Sequence, residues 1–477
     1  MIKVKSGGHK RMRKKVKVAV IGAGTAGLYA LSQVRKITAD FLLINSGPVG
    51  TTCARVGCMP SKTLIQAGND SYRRHLFDAL GIYGAEKLTV NKDDAMARVR
   101  QLRDSFVAGV IKSSIDPVRD RFIDGHARFR EPGVLTVNGN TIEAEQIIIA
   151  TGSRPVIPKA WQEFADKILT SDSLFEQESL PGKLAVIGLG SVGLELGQAL
   201  SRLGVKVTGI DQLETLAGLQ DPEVNNRAVE IFSREFPLWL GKAARVQPEN
   251  GRLRVSAGDR NILVDKVLAS LGRRPNIDDL GLENLDVALD ENGIPAYDPR
   301  TMQVKNLPLF IAGDANRKNP ILHEAADEGR IAGFNAVRHR VTSFRRKTNF
   351  TISFCDPNIA EVGTPFNDLE RDGTAIGHYN LDSSGRATIM GVEQGLIRVY
   401  AKRDNGKLLG GSLLAPGAEH LAHLLAWAVQ LQLTAGELLK MPYYHPTLEE
   451  SLQRACNDLF TKTGPDEPGL KELERLA

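Results

Sequence analysis

The stretch VKVAVIGAGTAGLYAL, Val16 to Leu31, runs a β-branched strand into Gly22, Gly24 and Gly27 and then into a helical pattern. Each glycine has a separate task. The first permits the tight turn, the second lets backbone approach a pyrophosphate, and the third lets the helix pack closely, with its N-terminus facing the phosphates. One such loop is weak evidence. A second, KLAVIGLGSVGLELGQAL from Lys183 to Leu200, sets Gly188, Gly190 and Gly193 in the same frame, and chance rarely supplies an internal repeat of this kind. The chain is therefore expected to be α/β, with two Rossmann-like dinucleotide-binding domains.

Each unit should end its second strand on a side chain for an adenosine ribose, and both frames put that position 23 residues after the first glycine. In the second unit it is Asp211, whose carboxylate accepts from both ribose hydroxyls and repels a 2′-phosphate, favouring NAD over NADP. In the first it is Asn45, an uncharged amide with one acceptor oxygen, a weaker ribose partner by about 1 kcal/mol. Two further segments fit a dinucleotide reading. EQIIIATGSRP is a buried strand ending at Thr151 and Gly152, where a domain crossing is expected, and LPLFIAGDAN carries a strand into Gly313 and Asp314, a carboxylate at a strand end. Together these features describe one flavin and one nicotinamide site.

The bulk numbers agree. With 477 residues, 42% of them apolar and 25% charged, the chain is long enough for about three globular domains. No apolar run approaches membrane-spanning length and no secretion signal is legible, so a cytoplasmic protein with no membrane partner is expected. The net charge of +5 is misleading, because residues 1 to 17 hold eight Lys or Arg and no acid, leaving the rest mildly acidic. That start reads as a solvated basic tail, and the second basic run, RHRVTSFRRK from Arg338, as a helix end and linker. No nucleic-acid partner is expected.

Two of only four cysteines lie five positions apart in GTTCARVGCMPSK, Gly50 to Lys62. On a regular helix, Cα atoms at that spacing are about 8 to 9 Å apart, too far for a disulfide, so Cys53 and Cys58 can bond only if the backbone near Cys53 is bent. Gly50, the two threonines and Gly57 would ease such a bend. So small a ring stabilises little, which favours a bond made to be broken over a staple. Inert core thiols and half of a zinc site remain as alternatives, although Cys355 and Cys456 lie singly and far off, and no metal site is expected.

These residues resemble the pyridine nucleotide-disulfide oxidoreductase family over nearly the whole chain, from about Lys17 to Phe460. The most specific match is GTTCARVGCMPSK, whose Ser61 stands where glutathione-reducing members usually have lysine and so tilts the reading toward the lipoamide-oxidising branch. The second glycine loop continues to Glu195, GRRPN from Gly272 resembles the end of the family's NAD domain, HEAADEGRIAG from His323 its flavin-side helix, and YYHPTLEE its His-Pro-Thr motif. The resemblance implies FAD and NAD as cofactors, with Thr52 and Lys62 on the flavin side beside the glycine loops, Thr151, Gly152, Gly313 and Asp314, and with Gly272 closing the nicotinamide domain. It implies that His445, oriented by Glu450, deprotonates dihydrolipoamide, that the thiolate attacks Cys53, that Cys58 hands the electron pair to FAD, that NAD is the final acceptor, and that Lys62 pairs with Glu195 beside the flavin. It further implies a homodimer whose His445 serves the partner's site, a lipoyl-carrying protein or small dithiol as substrate, and a cis bond before Pro446.

Three positions depart from the family pattern: Asn45 for a usual glutamate, Tyr443 for a common histidine, and Cys355 for a common threonine. A glutathione-type disulfide reductase is the rival within enzymology, and a silent flavoprotein scaffold or redox sensor the rival outside it. The expected boundaries are an FAD domain over 1–154, with 1–16 a flexible tail, an NAD domain over 155–276, a segment over 277–343 completing the FAD domain, and an α+β interface domain over 344–477. In the last, HLAHLLAWAVQLQL reads as an amphipathic helix with His420 and His423 on its surface.

Overall fold

The structure, a computed structural model, describes residues 13–305, 307–463 and 472–473; residues 1–12 of the basic start lie outside them. Contacts divide the chain into two compact units. Among the described residues, the first takes those up to 60, with 100–156 and 273–346. Its sheet runs in the order Phe122–Asp124, Phe41–Asn45, Arg13–Ile21, Asn140–Ile149, Val134–Val137, Ala127–Glu131, with Leu309–Ile311 also on Asn140–Ile149. The fully apolar runs pair in parallel, Ile21 opposite both Ile44 and Ile149, because strands covered on both faces read as continuous hydrophobic stretches. Their carboxyl ends converge at Gly22, where open α/β sheets bind ligands.

The first strand begins at Arg13, so the expected tail of 1–16 is too long at its end. Arg13 to Val16 pair with Thr141 to Ala144, because the ten-residue strand Asn140–Ile149 extends beyond the apolar run and offers these residues backbone partners. Behind the sheet, helix Leu322–Ala336 lies against helix Thr25–Val34 at very short range. A Cβ on Gly329 or Gly333 would stand 2.2 Å from the carbonyl oxygens of Ala26 and Ala30, so glycine is required at both positions for the helices to touch.

The second unit comprises residues 61–99, 157–272 and 347–477. It holds a parallel sheet ordered Leu238–Trp239, Lys206–Ile210, Lys183–Ile187, Lys266–Ala269, Ile168–Leu169, and a three-stranded antiparallel ribbon over 245–264. A five-stranded antiparallel sheet, ordered Phe350–Ser353, Asn358–Gly363, Leu408–Ala415, Leu396–Lys402, Thr374–Asn380, completes it. Helix Ala418–Gln430 packs Leu421, Ala422 and Leu425 into this sheet's core and leaves His420 and His423 exposed.

The two units cut across the expected four segments, since 61–99, most of the expected NAD domain and the expected interface domain fall together in the second. Residues 61–99 belong with 157–272 rather than with the first 60, because Leu64, Ile65, Met96 and Val99 share a core with Leu194, Leu196 and Leu200. Gly68 makes this possible, since a side chain there would sit 3.0 Å from the Ala199 carbonyl oxygen.

Candidate active site

Around Cys53 the backbone is bent. Gly50 has φ of 110° and Thr51 of 63°, and the Thr51 hydroxyl accepts the Ala54 N–H at 3.2 Å to start the short helix Thr52–Val56. Gly57 (φ −121°, ψ −120°) then breaks the helix before Cys58 opens the next one, Cys58–Tyr72. At this break the chain folds back: a Cβ on Gly57 would lie 3.1 Å from the Cα of Cys53. Cys53 is half-buried, Cys58 exposed at its helix N-terminus, and Thr52 exposed in the first turn of the short helix. The other two thiols have a different character. Burial pushes Cys456 up to about 12, and burial with the nearby Glu195 charge pushes Cys355 well up, so both stay protonated near neutral pH.

In the second unit, Lys62 donates from Nζ to Glu195 Oε2 at 2.8 Å. The carboxylate is nearly buried, its side chain 6% exposed, while that of Lys62 is 33% exposed, so this is not a solvated surface pair. In the loop after Met441, the bond before Pro446 is cis, as is that before Pro357. His445 Nδ1 lies 3.0 and 3.2 Å from the two oxygens of Glu450, which also accepts the Thr447 N–H at 3.0 Å. The hydrogen bond from His445, with that from Thr447, holds Glu450 below the usual carboxylate range. With Nδ1–H committed to the carboxylate, Nε2 is the basic nitrogen, on a side chain 82% exposed.

The two glycine loops repeat each other closely. A Cβ on Gly22 would lie 2.2 Å from the Ala150 carbonyl oxygen, and one on Gly188 would lie 2.2 Å from that of Ser270. On Gly27 and Gly193 it would lie 1.9 Å from the carbonyl oxygens of Gly22 and Gly188. Gly24 and Gly190 have nothing within 4 Å, leaving a cradle over each helix N-terminus of the kind a pyrophosphate requires. Asn45 Oδ1 accepts the Ala23 N–H at 2.9 Å, and Asp211 Oδ2 accepts the Leu189 N–H at 2.6 Å. Beside the first loop, the buried Thr151 hydroxyl has no protein partner, which suits a polar ligand there. These observations fit FAD in the first unit and NAD in the second.

Several supporting residues went unread in the sequence. Asp314 accepts the Ser153 hydroxyl at 2.7 Å, and Ser153 in turn accepts Arg273 Nε at 2.8 Å. The Gly313 N–H donates to the buried Glu328 at 2.8 Å. Gly152, Gly272 and Gly313 have φ of 70°, 85° and 71°, so all three positions favour glycine. Asn276 ties the Thr151–Gly152 turn by donating to both carbonyls. Ser153 and Arg273 stand inside the quoted motifs ATGSRP and GRRPN, so their neighbourhood was visible although their contact was not. Among the described residues, no helix is long and apolar enough to cross a membrane, and no group of three or more His, Cys, Asp or Glu is placed to hold a metal.

Comparison with known proteins places this geometry. Residues 16–329 match the pyridine nucleotide-disulphide oxidoreductase model, and residues 350–456 match that family's dimerisation domain. A dihydrolipoyl dehydrogenase of Thermus scotoductus is 30% identical over 92% of this chain and 96% of its own. A mercuric reductase of Staphylococcus aureus is 28% identical over 92% of this chain and 81% of its own. Among solved structures, LpdA of Mycobacterium tuberculosis matches with a TM-score of 0.81 and 26% identity, over 93% of this chain and 99% of its own. The flavoprotein disulfide reductase RclA of Escherichia coli shares the fold, with a TM-score of 0.79 and 22% identity over 94% and 99%. With both nucleotide cradles, the two-cysteine loop and the dimerisation domain in place, the chain belongs to the pyridine nucleotide-disulphide oxidoreductases, which bind FAD and NAD(P).

Proposed function

We propose that this chain is a dihydrolipoyl dehydrogenase, oxidising the dithiol of a lipoyl-carrying protein with NAD through a Cys53–Cys58 disulfide, and that it works as a cytoplasmic homodimer. The observation that carries the reading is the His445–Glu450 pair, because a scaffold or sensor has no need of a positioned base. His445 Nε2 takes a proton from one substrate thiol, and the thiolate attacks Cys53 Sγ, breaking the Cys53–Cys58 bond and leaving Cys58 as a thiolate. The second substrate thiol then attacks the substrate sulfur of the mixed disulfide, and its proton passes by way of the imidazole to the departing Cys53 Sγ, so that the cyclic disulfide leaves, Cys53 ends as a thiol and His445 keeps the first proton. Bound FAD supplies the two-electron chemistry that links the thiol pair to NAD. Glu195 and Lys62 provide a fixed, partly shielded charge pair on the flavin side, and the Asp211 carboxylate selects the ribose of NAD. His445 is assigned to the partner subunit's site, with Lys62, Thr52, Thr151 and Asp314 toward the flavin. Ser61, buried, favours lipoamide over glutathione.

A second reading, reduction of another small disulfide, is favoured by Tyr443, which burial keeps protonated where lipoamide-oxidising relatives commonly have histidine. The test runs NAD reduction by free dihydrolipoamide beside NADPH-driven reduction of glutathione disulfide. Dihydrolipoamide activity is expected to fall about 10²–10⁴-fold in His445→Gln and to vanish in Cys53→Ser. Activity with glutathione disulfide alone would replace the proposal with the second reading.

A further inference from the structure

Glu195, Gln198 and Arg202 fall on one face of helix Ser191–Arg202, and all three reach the same turn, Phe354 to Asp356. The Phe354 N–H donates to Glu195 Oε1 at 2.7 Å, which leaves Oε2 for Lys62. The ring of the same Phe354 lies 4.4 Å from Lys62 Nζ. One residue thus touches both halves of the ion pair, fixing the carboxylate through its backbone and facing the ammonium with its ring. The turn itself is clamped. Gln198 exchanges hydrogen bonds with Asp356, Asp356 N–H donating to Oε1 at 2.9 Å and Nε2 donating to the Asp356 carbonyl at 2.7 Å. Arg202, its side chain 2% exposed, donates to both oxygens of Glu235, to the carboxylate and carbonyl of Asp356, and to Asn69. Its guanidinium also stacks 4.0 Å over the ring of Tyr72.

We infer that Phe354 is a positioning residue for the Lys62–Glu195 pair, and that Gln198 and Arg202 act through it by holding the turn. A carboxylate that needed only a partner in the core could take any donor. Here the donor belongs to a residue whose aromatic face also meets the ammonium, so Lys62 is held on two sides, by a carboxylate and by a ring face, while a third of its side chain stays accessible. The arrangement fixes the ammonium between two partners with part of the side chain accessible, which is the requirement for acting on a bound ring. This inference rests on the reading that Lys62 faces the flavin.

The experiment is a double-mutant cycle on the FAD-loaded protein: Phe354→Leu, which keeps the backbone donor and removes the ring, Lys62→Met, and both together. Two quantities are read besides turnover: the visible absorption and circular dichroism of the bound flavin, and the single-turnover rate at which NADH bleaches it. Phe354→Leu is expected to move the flavin bands in the same sense as Lys62→Met and to slow bleaching about three- to tenfold, with Phe354→Tyr restoring both. In the Lys62→Met background, Phe354→Leu should change neither. Gln198→Met provides a second route to the same answer, loosening the turn with the ring intact and giving the same changes at smaller size. The inference is overturned if Phe354→Leu leaves bands and rate unchanged, or if its effect persists in full without Lys62, as a merely structural role would require. If Lys62→Met itself is silent, the flavin-side reading of the pair falls as well, whereas a strong Lys62→Met with a silent Phe354→Leu removes this inference alone.

Discussion

The two glycine loops solve one steric problem twice and differ at the next step. Gly22 and Gly188 turn against a carbonyl oxygen at the same built distance, Gly27 and Gly193 close on their own loops at the same distance, and Gly24 and Gly190 face open space. The strand-end side chains part company. Asp211 accepts two backbone N–H groups, from Leu189 and Leu213, and still carries a charge and a lone pair on each oxygen. Asn45 accepts from Ala23 but spends its amide N–H on the Gly47 carbonyl, so one neutral lone pair and one N–H remain for a ribose. Loop shape is therefore dictated by glycine spacing in both units, while ribose affinity is set separately by one side chain.

The largest expected effect breaks the shared part. Gly27→Ala or Gly193→Ala puts a methyl 1.9 Å from a carbonyl oxygen, which forces backbone movement at a cost of at least about 1–3 kcal/mol. Gly27→Ala should purify colourless, whereas Gly193→Ala should stay yellow and lose NAD turnover, as read by the ratio of flavin to protein absorbance and by activity. Equal tolerance of both would break the assignment of one nucleotide to each loop. A smaller effect is expected from Asp211→Asn, which makes the second unit resemble the first. The KM for NAD should rise about five- to tenfold with kcat nearly unchanged, the pattern of lost ground-state binding; an unaltered KM would show that Asp211 does not meet the ribose. The smallest comes from the reverse exchange, Asn45→Glu, expected to slow flavin loss about fivefold. Retention of FAD to the same extent by both forms through dilution and gel filtration would remove Asn45 as a determinant of affinity.

What could be read without coordinates follows the same division. Spacing carries steric information, so both glycine loops, the strand ends at Asn45 and Asp211, the turns at Gly152 and Gly313, and the bend around Cys53 were legible from residue order. Lys62 with Glu195 and His445 with Glu450 were legible only through the family resemblance: the first pair, 133 positions apart, leaves no local pattern, and the second, five apart, is indistinguishable in residue order from a surface His and Glu. The Phe354 contact to Glu195 and the Arg273–Ser153–Asp314 chain were missed for the same reason: they join segments about 120–160 residues apart through a backbone N–H or a serine hydroxyl, groups present everywhere. The strand start at Arg13 was hidden by charge, because exposed Arg and Lys on an extended strand look like a solvated tail until the partner Asn140–Ile149 is seen. The shared core of segment 61–99 with helix Ser191–Arg202 was not legible, because Leu64, Met96 and Val99 meet Leu194, Leu196 and Leu200 across about a hundred residues or more of sequence.

The central claim is that Cys53 and Cys58 form a redox couple working in series with the flavin. The direct measurement is an anaerobic reductive titration of the FAD-loaded enzyme, counting electrons taken up per chain. The account predicts two electron pairs, one for the disulfide and one for the flavin, falling to one pair in Cys53→Ser. Uptake of a single pair by the unmodified protein, unchanged by Cys53→Ser, would contradict it.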